Sequence, residues 1–144
     1  MMGRTHFVTG LALGSFISWP AAFAAGIAAL LPDIDSCQST IGRLVRPVSY
    51  VIQKTVGHRN LFHSVWILIV IHFFCTFLPH DILLGVLIGY LSHILLDILN
   101  PAGVRVFWPI PINLALPLVR TGSLIEYLVI LPTGILILIG NLGI

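Results

Sequence analysis

Gly89-Tyr90-Leu91-Ser92-His93-Ile94-Leu95-Leu96-Asp97 sets two ionisable side chains four residues apart in an otherwise apolar run. On a helix, that spacing puts His93 and Asp97 on one face, one turn apart. Imidazole and carboxylate are groups that divalent first-row metals take from a helix face. In apolar surroundings such groups are costly unless paired, hydrated or bound to a metal. The pair therefore reads either as part of a metal site or as a His–Asp hydrogen bond joining two helices.

Composition sets the class. Of 144 residues, 58% are hydrophobic and 8% charged, against roughly a quarter charged in soluble domains. A soluble fold of this length could not bury so much apolar surface. The chain reads as a single all-α integral membrane domain over residues 1–144. A net charge of +2, without interleaved basic and aromatic residues, argues against nucleic acid. Cys37 and Cys75 lack CxxC spacing and suggest no disulfide framework; Cys37, close to Asp33 and Asp35, is a minor ligand candidate. The first apolar run lacks a small-residue cleavage site and reads as retained.

Residues 7–31 fit one membrane span or a hairpin. Trp19-Pro20 favours the hairpin, because proline disfavours helical geometry in the residue before it. A continuous helix would separate His6 from Asp33 and Asp35 by roughly 40 Å, whereas a break brings them together. The Gly and Ala residues of this stretch suit close helix approach in lipid, although each arm would be only about 20 Å long against a ~30 Å hydrocarbon core. In residues 36–60, Ile41, Leu44, Val45, Val48, Val51 and Ile52 recur at helical spacing, with Arg43, Arg46 and Lys54 on other faces. This is the pattern of a basic amphipathic segment in the headgroup region, started or kinked by Pro47. A second hairpin is expected from the apolar run ending at Leu78, the turn Pro79-His80-Asp81 with Asp81 as N-cap, and residues 82–99. Residues 101–123 hold four prolines and read as irregular. A last span is expected over 124–142.

The result is about five hydrophobic helices, arranged as two helical hairpins plus a C-terminal span. Every Lys and Arg then lies on one side, which the positive-inside rule assigns to the cytoplasm. That face also gathers His6, Asp33, Asp35, His58, His63, His93, Asp97 and Glu126. His72 and His80 fall outside it and read as packing and interfacial residues. Helix caps and ion pairs alone would not favour histidine so strongly, so the cluster reads as a metal site.

Four segments in order carry a resemblance: His6, Leu31-Pro32-Asp33-Ile34-Asp35, His58-Arg59 with His63-Ser64, and Gly89-Tyr90-Leu91-Ser92-His93-Ile94-Leu95-Leu96-Asp97. From His6 to about Glu126 the chain resembles the YdjM-like family of bacterial LexA-regulated, membrane-bound metal-dependent hydrolases. That family is grouped with zinc-dependent phospholipase C and P1-type nucleases. The resemblance implies a phospholipase C/P1 nuclease-like helical fold in the bacterial inner membrane. It implies a phosphoesterase acting on a phospholipid or lipid-linked phosphate at the cytoplasmic face. One to three divalent ions, zinc first and Mn2+ or Fe2+ next, would be held by His6, His58, His63, His93, Asp97 and at least one of Asp33 and Asp35, with Asp35 preferred. Asp35 or Asp97, whichever is less engaged, would serve as general base. Glu126 would orient a ligand histidine. Arg59 and Arg120 would hold a phosphate. The soluble relatives also use an N-terminal amine as ligand, a role not evident for Met1. Two other classes fit the same residues: a metal-ion transporter, for which only His72 lies deep in a helix, and a non-catalytic protein whose metal staples its hairpins.

Overall fold

The computed structural model describes residues 1–142. Among them are seven α-helices and no strands: α1 (Gly3–Gly14), α2 (Trp19–Ala28), α3 (Thr40–Leu44), α4 (Arg46–Thr55), α5 (Val65–Phe74), α6 (His80–Ile98) and α7 (Leu131–Asn141). Short 3-10 turns occupy Leu31–Asp35 and Leu61–His63, and a π-helical turn, Glu126–Ile130, runs directly into α7. The segment 101–123 is irregular apart from an isolated antiparallel bridge between Val104 and Leu114.

The break falls at residues 15–18, just before Trp19-Pro20, so residues 7–31 form a hairpin rather than one helix. Ser18 is extended, and its Oγ accepts the Ala21 N–H at 3.1 Å. Pro20 sits in the first turn of α2, where its missing N–H costs no helical bond. The same Ser18 hydroxyl donates to Asp81 Oδ2 at 2.7 Å. Asp81 is therefore not the N-cap of α6. Pro79 holds that position, and Asp81 lies in the first turn, where a carboxylate complements the helix dipole.

Small residues decide how the helices assemble. In α2, Ala21, Ala22 and Ala25 are wholly buried, because α1 packs on one side and α6 on the other. A Cβ at Gly10 would stand 2.6 Å from the Ala25 carbonyl oxygen, and one at Gly14 would stand 2.7 Å from that of Ala21. Gly85 and Gly89 meet the same two alanines from α6, and a Cβ at either would collide with their carbonyls. Both seams use the four-residue spacing that lets helix backbones approach closely in lipid. One turn beyond each seam stands a histidine: His6 precedes Gly10 by four residues, and His93 follows Gly89 by four. Close packing along α2 thus delivers both rings to the same end of the bundle.

The expected set of five spans is only partly realised. Among the described residues, α6 alone is long and apolar enough to cross a membrane. Its 19 residues reach about 28 Å at 1.5 Å per residue. The apolar run ending at Leu78 stops being helical at Phe74, whereas the last stretch is helical from 124 to 141, close to the expected 124–142, and includes the π-helical turn at Glu126–Ile130. Phe73, Phe74, Phe77, Leu128 and Leu136 are nevertheless exposed, as apolar side chains facing lipid tails would be. The amphipathic segment forms α4, with Pro47 in its first turn and Leu44, Val48 and Val51 exposed beside it or along it.

Candidate metal centre

Four separate elements supply the cluster. His6 comes from α1, Asp33 and Asp35 from the 3-10 turn that ends the first hairpin, His58 and His63 from the segment between α4 and α5, and His93 and Asp97 from the last turns of α6. The Tyr90 hydroxyl fixes the third of these by donating to the Phe62 carbonyl at 2.5 Å. All seven residues expected as ligands from the sequence converge. They fall into three overlapping groups, His6–His93–Asp97, Asp33–His63–His93 and Asp33–Asp35–His58, with donor atoms within 4.8 Å of one another in each. The first group is fully buried, whereas His58 lies at the exposed rim.

Hydrogen bonding fixes the ring tautomers. His63 Nδ1 lies 3.1 Å from Asp35 Oδ2, and His93 Nδ1 lies 2.7 Å from the Ala29 carbonyl oxygen. Those oxygens only accept, so each Nδ1 carries the hydrogen. In the neutral rings the lone pairs then sit on Nε2, and the two Nε2 atoms face each other at 3.2 Å. Two acceptors so placed repel unless a proton or cation stands between them. Asp33 Oδ1 lies 3.8 Å from His93 Nε2, on the same space. His6 stacks on His93 with ring centroids 3.8 Å apart, and neither of its buried ring nitrogens makes a hydrogen bond among the described residues, Nε2 lying 3.5 Å from Asp97 Oδ1. Orphaned buried nitrogens of this kind cost free energy unless something binds them. The donor set therefore fits a divalent cation.

The two aspartates of the 3-10 turn differ in their contacts, although both stand in candidate donor groups. Asp35 is wholly buried and accepts from His58 Nδ1 at 2.6 Å, His63 Nδ1 and the Arg59 N–H at 3.0 Å. Burial pushes its carboxyl up, but the His58 and His63 bonds outweigh that and hold it below the usual carboxylate range. It orients imidazoles, as carboxylates behind metal-binding histidines do. Asp33 keeps its carboxylate free of hydrogen bonds among the described residues, and burial pushes that carboxyl up.

Asp97 is also engaged. The Met1 ammonium donates to its Oδ1 at 2.6 Å, and Arg59 Nη2 lies 3.1 Å from its Oδ2. The only sequence signal that the Met1 amine would reach the cluster is the resemblance to relatives that use an N-terminal amine there; its partner Asp97, 96 positions away, was not legible. Glu126 does not orient a histidine. It is buried and accepts the N–H groups of Met2 at 2.8 Å and Gly122 at 2.7 Å, pinning the N-terminal segment to the last helix. Arg120 is exposed, with no contact to the cluster among the described residues. Cys37 belongs to none of the donor groups, and His72 and His80 are exposed away from them.

Among the described residues the fold is all-helical, with one helix long and apolar enough to cross a membrane and a largely buried His/Asp cluster that defines a candidate metal centre. Residues 1–142 match the family described as YdjM inner membrane protein. The protein belongs to that family. It is 35% identical to YvsG of Bacillus subtilis over 90% of its own length and 88% of that protein. It is 37% identical to the inner membrane protein YdjM of Escherichia coli over 75% of its own length, and the matched part spans 60% of that relative. The YdjM protein of Shigella flexneri matches to the same extent. These relatives support an inner-membrane location. No solved structure matches the chain, so the likeness to phospholipase C remains an expectation from sequence.

Proposed function

We propose that the protein is a membrane-bound, metal-dependent hydrolase, and that its substrate is a phosphoester on a phospholipid or lipid-linked phosphate at the cytoplasmic face. The observation that carries this reading is the pair of facing Nε2 lone pairs on His63 and His93, with Asp33 beside them and His6, which makes no side-chain hydrogen bond among the described residues, stacked behind. The single free lone pair of His93 would serve one divalent ion, held either with His6 and Asp97 or with Asp33 and His63, and Asp33, Asp35 and His58 offer a second position. Zinc suits imidazole and carboxylate donors best, with manganese or iron next. An ion held there supplies Lewis acidity toward a phosphoryl oxygen and makes water a stronger acid.

The side chains divide the remaining work. Asp35 holds His58 and His63 in one tautomer and orientation. Arg59 balances the charge of Asp97 and faces the rim. Asp33, the carboxylate with no other partner, is placed to take a proton from water. Membrane topology follows the same reading: the cluster end of the bundle faces the cytoplasm, and the hairpin tips lie toward the other leaflet.

Elemental analysis of the purified protein, followed by assays on short-chain phospholipids and other phosphoesters, tests the proposal. Bound metal together with metal-dependent phosphate or headgroup release is expected. The complete burial of the His6–His93–Asp97 group favours one competing reading, a purely structural metal. Protein that holds metal, melts higher with it and turns over none of these esters would establish that reading instead.

A further inference from the structure

Beside the cluster, the turn at residues 57–60 and the irregular segment beyond α6 enclose an open cavity of about 390 Å³, with His58, Arg59, Asn60, Gly103, Arg105 and Asn113 in its wall. The cavity adjoins the candidate centre directly. His58 belongs to one of the donor groups, and Arg59 reaches Asp97. Two arginines line it and no carboxylate does.

Both arginines are held for a purpose that the cluster does not exhaust. Arg59 is the one non-glycine residue with positive φ among the described residues, at 61°, a region few such residues occupy. Its N–H is tied to Asp35, and its carbonyl accepts the Arg105 N–H at 3.2 Å. Its Nε is buried without a partner. Arg105, locked to Arg59 through that backbone bond, is exposed, and no carboxylate pairs with it among the described residues. A guanidinium with free donors presents a fork that matches phosphoryl oxygens.

We propose that this cavity binds an anionic phosphoryl headgroup through Arg105 and Arg59 and selects against zwitterionic headgroups. A choline or ethanolamine end would bring a further positive charge beside Arg105, which no carboxylate offsets among the described residues, and beside Arg59, whose guanidinium is already paired with Asp97. The inference rests on the hydrolase reading only for the claim that the bound group is a substrate; binding and selectivity stand on the cavity.

The test uses the full chain as purified in a neutral detergent, with dihexanoyl phosphatidate, dihexanoyl phosphatidylcholine and inorganic phosphate as probes in equilibrium binding. Phosphatidate should bind about tenfold tighter than phosphatidylcholine, the effect of one charge-assisted hydrogen bond. Arg105→Gln should abolish that preference, and Arg105→Lys should retain part of it. Competition by inorganic phosphate would assign recognition to the phosphoryl group alone, and its failure to compete would assign it to the lipid-borne group. Either result upholds an anion site. Equal binding of the two lipids, or an undiminished preference in Arg105→Gln at normal melting temperature, overturns the proposal. If Arg105→Gln does not fold, Arg105→Lys decides: a preference reduced but retained in the folded lysine variant upholds the site, and an undiminished one overturns it. Selective binding without turnover of any phosphoester would strike the hydrolase reading and leave this one intact.

Discussion

His6 lies flat against His93, with an angle of 16° between the rings, and neither nitrogen of His6 makes a hydrogen bond among the described residues, Asp97 Oδ1 standing 3.5 Å from Nε2. A histidine that served only to pack would be better replaced by a ring with no polar atoms. His6→Phe keeps the stacking and discards the nitrogens. If His6 is a ligand, this variant should lose metal affinity by at least about tenfold while the metal-free protein melts no lower than the parent. Metal content equal to that of the parent would mark His6 as a packing residue.

His93 and Asp97 share one face of α6 and one donor group with His6. Residues that bind one ion act as a unit, so their losses should not add. His93→Ala alone should empty that position, and Asp97→Ala on top of it should remove little more metal. Elemental analysis of both single variants and the double variant checks this. Full occupancy in the double variant would end the claim that the pair holds a metal.

Asp33 and Asp35 should separate in kind. Asp33→Asn removes a donor that supports nothing else, so metal should be lost while the melting temperature of the metal-free form stays within a degree or so of the parent. Asp35→Asn disturbs three hydrogen bonds, one buried and two partly buried, and should cost about 1–3 kcal/mol of stability, as a buried charged group with disturbed partners does. It should also weaken metal binding about 10–100-fold. Thermal melts paired with metal titrations tell them apart, and equal destabilisation by the two changes would contradict the assignment.

Gly89→Ala inserts a methyl group against the Ala25 carbonyl. The expected cost is at least about 1–3 kcal/mol, typical of overpacking, together with weaker metal binding because His93 shifts with the helix. Gly140→Ala meets nothing within 4 Å and should leave the melting temperature unchanged. Thermal unfolding of both variants in the same detergent provides the comparison.

Reporter fusions should place residues 36–60 and 101–123 in the cytoplasm and the C-terminus on the opposite side. His6 and Asp35 labelled from opposite faces of the membrane would be incompatible with the first hairpin.

The sequence by itself determined the helical class, a break close to Pro20, the irregular 101–123 segment and the shared face of His93 and Asp97. Each rests on a local rule: apolar composition, the preference of proline for the first turn of a helix, proline content, and the i, i+4 face of a helix. Helix length was less legible, because α5 stops at Phe74 in a run whose composition alone would carry it further. Only the tertiary structure decided what each polar group faces. Asp33 and Asp35 are two residues apart in one short turn, and nothing local says which carboxylate meets His58 and His63. Ser18 takes Asp81 from 63 positions away, Glu126 takes Met2 from 124, and Asp97 takes the Met1 amine from 96. Such partners are set by how Gly10, Gly14, Gly85 and Gly89 let α1 and α6 close on α2, and that depends on helix rotation and depth that no single segment encodes.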